Sequence, residues 1–144
     1  MESLSKNKIK WIRSLGFKKN RDAEGLFIIE GEKMVLELID LWPESVELIC
    51  TTDPKLSTKL LSYITDEKTM KDISSLKSPN KLLAVVKKPQ LALKQEASFI
   101  VMLEDIQDPG NMGTILRTCD WFNVDKVVCS TNTVDVFNTK VIQS

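Results

Sequence analysis

With 144 residues, 42% of them hydrophobic and 28% charged, the chain has the balance of a water-soluble globular protein, long enough for one ordinary domain or two small ones. No apolar run approaches the ~18 residues that span a membrane, and the opening MESLSKNKIKW lacks the apolar core of a signal peptide. The formal net charge is +0, so bulk charge marks no nucleic-acid partner, and the absence of histidine argues against a zinc site or a histidine-based triad.

In chain order, Leu4 to Leu15 is predicted as a short helix, with Leu4, Ile12 and Leu15 as a partial packing face and Gly16 as its stop. Lys18 to Gly25 reads as a charged connection. Residues 1–21 carry seven cations against one acid. That density suits phosphates, with Lys18, Lys19 and Arg21 as the candidate contacts; a solvated helix face and loop would look the same in charge alone. Trp11, among those lysines, is a candidate stacking platform or a packing residue.

Leu26 to Ile29 is the first predicted strand, and Glu30-Gly31 turns into a helix over Glu32 to Leu41, with Val35, Leu38, Ile39 and Trp42 as its stripe and Pro43 as its stop. Val46 to Thr51 is the next strand. Asp53-Pro54 then opens a predicted third helix in which Leu56, Leu60, Leu61 and Ile64 recur at helical spacing, with a short extended piece near Tyr63. Thr65 is an incomplete capping start for a helix over Asp66 to Leu76. Ser78-Pro79-Asn80 is a turn, and Leu82 to Val86 an apolar strand. Helix and strand alternate over about ninety residues, which predicts a small three-layer α/β/α sandwich. Residues 90–96 are polar, follow a proline and read as a linker, so that the domains become 1–89 and 97–144.

The stretch from Ser98 to Ser130 is one strand–loop–helix–strand unit. Phe99 to Leu103 is apolar throughout, as a strand covered on both faces is. Asp108, Pro109, Gly110 and Asn111 make a turn, with Asn111 placed as N-cap of a helix and Asp108 bonded to its own backbone. Gly113 admits a close approach to the first helical turn. Met112, Ile115, Leu116, Cys119 and Phe122 form the packing stripe, Asn123 supplies a left-handed end, and Lys126 to Cys129 is the second strand. Arg117 falls on the face away from that stripe, and spacing alone does not separate a catalytic arginine from a solvated one. Glu104 reads as a loop-stabilising carboxylate, and Trp121 as a residue packing at a dimer interface rather than stacking a base. Cys50, Cys119 and Cys129, odd in number and without C-x-x-C spacing, read as reduced, buried thiols of a cytoplasmic protein.

The wording of EDIQDPGNMGTILRTCDWFNVDKVV closely resembles the first motif of the SpoU (TrmH-like) RNA ribose 2′-O-methyltransferases of the SPOUT superfamily. The shared elements are Gln107-Asp108-Pro109, Asn111, Gly113, Ile115, Arg117-Thr118 and Phe122. Cys119 stands for a usual alanine, and Asn123 for a usual glycine. Phe137 to Ile142 is similar to the family's Asn-Pro-Lys-Val segment, with Thr139 in place of the proline. KKNRDAEGLFIIEGEKMV and SLKSPNKLLAVVKKP resemble the small substrate-binding domain that precedes the catalytic domain in many SpoU proteins, with Lys81 where glycine is common.

The resemblance implies a ribosomal-protein-like RNA-binding fold over 1–89, followed by the first βαβ part of an α/β-knot methyltransferase domain. It implies S-adenosylmethionine as methyl donor, RNA (rRNA or tRNA) as substrate, and a homodimer for the intact enzyme. It gives Arg117 the catalytic role and Asn111 the role of orienting the site; the arginine either removes the 2′-OH proton or stabilises charge on the 2′-oxygen, and the high pKa of a guanidinium favours stabilisation. The family's catalytic domains run on for roughly another hundred residues, and that part holds the cofactor-binding motifs. Cofactor ligands are therefore expected beyond Ser144, and the chain reads as a truncated methyltransferase, inactive alone. The alternative is an RNA-binding module without catalysis.

Overall fold

The computed structural model describes residues 4–56, 60–90 and 96–144. They form two compact units, Met1–Pro89 and Gln90–Ser144.

The first unit opens with α1 (Lys6–Ser14), capped by the Ser5 hydroxyl, which accepts from the Lys8 amide. A second helix, α2 (Lys18–Glu24), follows where the sequence suggested a charged connection. It shows no apolar stripe, which hid it from periodicity. Its composition of Lys, Arg, Ala and Glu nonetheless favours helix. Gly25 ends it at φ 65, the left-handed conformation that a residue with a Cβ adopts only at a cost.

Four strands make the sheet: β1 (Leu26–Glu30), β2 (Val46–Thr51), β3 (Ser62–Ile64) and β4 (Leu82–Lys87), in spatial order β1-β4-β2-β3. β4 is antiparallel to both β1 and β2, while β2 and β3 are parallel. Between them stand α3 (Glu32–Leu41) and α4 (Glu67–Ile73). Strand residues alternate between faces. Leu26, Ile28, Leu48, Cys50, Leu83 and Val85 pack with Ile12 and Leu15 of α1 and with Met70 and Ile73 of α4. The alternate residues Phe27, Ile29, Ala84 and Val86 are buried too, and α3 lies against β1 and β4. The result is the three-layer sandwich expected from the alternation. Lys8 stitches its layers: its ammonium donates to the Tyr63 hydroxyl at 2.9 Å and sits 4.8 Å from the ring centroid.

Three local expectations change. The helix predicted after Pro54 is only a single 3-10 turn, Pro54–Leu56, and Tyr63 and Ile64 instead pair with Cys50 and Thr51. Residues 57–59 of that expected helix lie outside the described residues. α4 is capped by Asp66 rather than Thr65, its carboxylate accepting from the Thr69 amide at 2.6 Å, and the helix ends at Ile73 rather than Leu76. Trp42, expected in the stripe of α3, is exposed, because the helix ends one residue before it.

The second unit pairs β5 (Ile100–Leu103) with β6 (Lys126–Cys129) in parallel, joined through α5 (Pro109–Trp121); α6 (Thr139–Gln143) packs against α5. This is the βαβ arrangement read from the sequence. β5 is not covered on both faces: Met102 is 79% exposed, and Ile100 and Val128 are exposed with it, while Val101 and Leu103 are half-buried. Cys129 is exposed rather than buried, since it closes the last paired position of β6. Most of the linker expected over 90–96 lies outside the described residues.

Candidate functional site

The loop leaving β5 is built by a chain of short bonds. Asp105 adopts φ 53, an uncommon backbone for a residue with a Cβ. Its amide donates to the Ser130 hydroxyl at 2.9 Å, and its carboxylate accepts from the Gln107 side-chain amide at 2.9 Å. Ser130 and Thr133 share a hydroxyl–hydroxyl bond of 3.0 Å, and the Val134 amide donates to the Ile106 carbonyl at 2.8 Å. These bonds fasten the carboxyl ends of β5 and β6 together. At the other end of the strands one carboxylate, Asp125, accepts from the amides of Ser98 and Phe99 and from the Ser98 hydroxyl.

α5 starts three residues earlier than its apolar stripe. Asp108, not Asn111, is the N-cap: its carboxylate accepts from the Asn111 amide at 2.7 Å, with Pro109 at the first helical position. Asn111 therefore sits inside the first turn, exposed, with its side chain released from capping. Arg117 is exposed as the stripe predicted, and among the described residues it makes no ion pair. Six residues separate it from Asn111. At 1.5 Å and 100° per residue they stand about 9 Å apart along the axis and about 120° apart around it. The helix thus carries both candidates on its accessible side without bringing them into contact.

Gly113 is required. A Cβ there would lie 2.6 Å from the Val141 carbonyl oxygen and 2.6 Å from the Ser144 Cβ, closer than atoms pack. α6 fills the space this glycine opens. Asn138 caps α6 by accepting from the Lys140 amide at 2.9 Å, which leaves Thr139 at the first helical position, where proline also fits.

The basic candidates of the first unit divide. Lys19 is exposed. Lys18 is exposed but pairs with Asp22 one turn on. Asp22 also holds Lys88 at 2.6 Å, and these two cations bring its carboxyl down to about 2. Arg21 is a correction to the phosphate-contact reading: it is 3% exposed, and its guanidinium donates to the Leu15 and Gly16 carbonyls at 2.9 and 2.8 Å. It closes the end of α1 and does not face solvent. Trp11 is partly buried against the core, Trp121 is 85% exposed, and Glu104 is exposed.

Fit to a sulfonium cofactor can be tested on this second unit. Asp105, Gln107, Ser130 and Thr133 at the ends of β5 and β6 bond to one another, and α6 fills the space beside Gly113. These residues do not form a cofactor cradle, and no cofactor ligand is assigned among them. Among the described residues there is no cluster able to hold a metal ion and no helix long and apolar enough to cross a membrane.

Each of the two units matches a known family. The SpoU rRNA Methylase family matches residues 98–144, and the MRM3-like substrate binding domain matches residues 6–84. The 23S rRNA (guanosine(2553)-2′-O)-methyltransferase RlmP of Bacillus subtilis (strain 168) is 32% identical over 149 residues, spanning 100% of this chain and 59% of that protein. A TrmH-family structure from Porphyromonas gingivalis superposes with a TM-score of 0.82 at 32% identity, over 98% of this chain and 58% of that one. An AdoMet-bound rRNA methyltransferase from Sinorhizobium meliloti gives 0.79 at 25% identity, over 99% of this chain and 58% of its own. The chain thus spans somewhat under two thirds of the length of these relatives. With an MRM3-like substrate binding domain over residues 6–84 followed by a SpoU rRNA Methylase segment over residues 98–144, the chain belongs to the SpoU (TrmH-like) family.

Proposed function

We propose that this chain is the amino-terminal part of a cytoplasmic, S-adenosylmethionine-dependent enzyme that methylates a ribose 2′-OH of rRNA or tRNA and works as a homodimer when intact. Residues 1–89 hold the RNA, with Lys18 and Lys19 on phosphates, and residues 97–144 present Arg117 and Asn111 to the reacting ribose. The observation that carries this reading is Arg117 on α5, exposed and without an ion pair among the described residues, within the segment matched by the methylase family.

S-adenosylmethionine supplies an electrophilic methyl group on a sulfonium sulfur. The rest of the chemistry is placement and charge. The 2′-oxygen gains negative charge as its proton leaves, and a guanidinium beside it stabilises that charge without ever losing its own. Arg117 is therefore the electrostatic partner of the oxyanion and not the base, and the proton leaves to solvent. Asn111, on the first turn of α5, orients the ribose by its amide.

Single-turnover methylation of the cognate RNA by the intact enzyme tests this. Arg117→Ala is expected to lower the rate by ~10² to 10³ with the melting temperature unchanged, as for one lost transition-state donor. Arg117→Lys should recover little, because an ammonium lacks the planar fork. Wild-type turnover by Arg117→Ala would return Arg117 to the status of a solvated helix residue.

A further inference from the structure

The first unit carries a cavity that neither the basic segment nor the methylase motif explains. It has a volume of about 380 Å³ and lies at the edge of the sheet where β1, β2 and β3 end and β4 begins. Thr52, just past β2, forms one wall; Pro79, Asn80 and Lys81, just before β4, form another; Glu67, Met70 and Lys71 of α4 complete it. A second cavity of about 330 Å³ shares Thr52, Glu67 and Lys81 with the first and extends it toward Asp53 and Thr65.

The frame around it is fixed by the backbone. The Thr52 amide donates to the Lys81 carbonyl at 3.0 Å, the Thr65 amide to the Thr51 carbonyl at 2.8 Å, and the Gly31 amide to the Leu82 carbonyl at 2.9 Å. Glu30, only 1% exposed, holds the segment leading to Pro79: its carboxylate accepts from the Ser74 hydroxyl at 2.6 Å and the Ser75 amide at 3.0 Å. A cavity with walls tied in this way loses little entropy when it is filled.

The lining chemistry is specific. Of the acids around the two cavities, Asp66 caps α4 and Asp53 accepts from the Lys55 amide. That leaves one carboxylate, Glu67, with the Lys71 ammonium one turn further along α4 and Lys81 on the segment before β4. A bare phosphate is poorly served beside a carboxylate. A nucleotide is well served: cations for the phosphate, the half-buried Pro79 ring for the base face, and an acceptor for N–H groups on the base edge. Guanine presents two adjacent donors, N1–H and the 2-amino group, to a single carboxylate, and the Asn80 amide adds a donor and an acceptor.

Resting on the reading of this unit as RNA-binding, we propose that the cavity receives one unpaired guanine nucleotide of the substrate RNA. Its phosphate meets Lys71 and Lys81, and its Watson–Crick edge meets Glu67. Duplex RNA cannot enter, because a paired base hides that edge.

The test uses the 144-residue chain. GMP, AMP, CMP and UMP are titrated into ¹⁵N-labelled protein, and a labelled RNA hairpin with guanine in its loop is compared with a duplex of equal length. GMP should shift the amides of Thr52, Lys71, Asn80 and Lys81 more than the other three nucleotides do. Glu67→Gln should erase that preference. The pair Lys71→Ala and Lys81→Ala should weaken the hairpin about tenfold or more and leave the duplex unchanged, with melting temperature as the folding control. Equal response to all four nucleotides, or hairpin binding indifferent to the lysine pair, would overturn the site while leaving RNA binding by the unit intact. Failure of the chain to bind hairpin or duplex would remove both.

Discussion

The guanidinium of Arg21 donates to the main-chain oxygen of Leu15 at 2.9 Å, so that a residue of α2 satisfies the end of α1. A second bond, to Gly16 at 2.8 Å, makes the pair of helices one corner. Arg21→Ala should therefore cost stability rather than RNA contacts. Two carbonyls lose a charged donor in a buried place, an expected loss of about 2 to 3 kcal/mol. Urea denaturation of the wild type and variant measures it; a midpoint shift near zero would put Arg21 back among the surface cations.

Asp108 and Asn111 are separable. Asp108→Ala removes the cap of α5 and should cost roughly 1 kcal/mol, seen as faster hydrogen exchange of the Asn111 amide. Asn111→Ala removes no cap bond and should leave that amide protected. Equal loss of protection in both variants would contradict the observed cap.

Gly113→Ala sets two effects against each other. Alanine favours helix by ~1 kcal/mol. The added Cβ meets the Val141 carbonyl and the Ser144 Cβ at 2.6 Å, and such overpacking costs about 1 to 3 kcal/mol. Backbone cannot swing aside as a side-chain tip can, so the clash should dominate. The expected result is displaced α6, read as changed amide shifts at Val141 and Ser144 with those of β5 unchanged.

Acid dependence follows from Asp22. Lys18 and Lys88 hold its carboxyl at about 2, below the ordinary value of 3.8. A folded-state value lowered in this way contributes stability that is present above the unfolded value, near pH 4, and is lost as pH falls toward 2. Carboxyl ¹³C titration should show a midpoint near 2 for Asp22, and Lys88→Ala should move it upward. An unmoved midpoint would detach Lys88 from the carboxylate.

S-adenosylmethionine should bind this 144-residue chain weakly or not at all, because Asp105, Gln107, Ser130 and Thr133 at the ends of β5 and β6 already bond to one another. Calorimetric titration decides; a low-micromolar dissociation constant would defeat the expectation.

The strands of the sandwich were legible because Leu26 to Ile29, Val46 to Thr51 and Leu82 to Val86 are apolar runs bounded by turn residues. α2 was not, since a helix without an apolar stripe gives no periodic signal and Arg21 holds it by a bond that only the folded chain makes. The segment after Pro54 failed in the opposite sense. Leu56, Leu60, Leu61 and Ile64 mimic a helical face, but pairing of Tyr63 with Cys50 claims the chain for the sheet. At α5 the deciding signal was in plain sight. Pro109 favours the first helical position, which makes its predecessor Asp108 the cap. The exposure of Arg117 followed correctly from the stripe, whereas the cavity beside Lys81 joins three segments distant in sequence and left no local trace.

The strand order carries a consequence for how the protein is made. β4 is the last strand of the first unit to be synthesised, yet it lies between β1 and β2 and supplies the hydrogen-bond partners of both. As the chain leaves the ribosome, Leu26 to Glu30 and Val46 to Thr51 emerge as apolar ribbons with no central partner. They stay so until Lys87 has cleared the exit tunnel. Chain emergence up to that residue therefore sets the moment of folding, and every earlier nascent intermediate exposes strands for chaperones to shield.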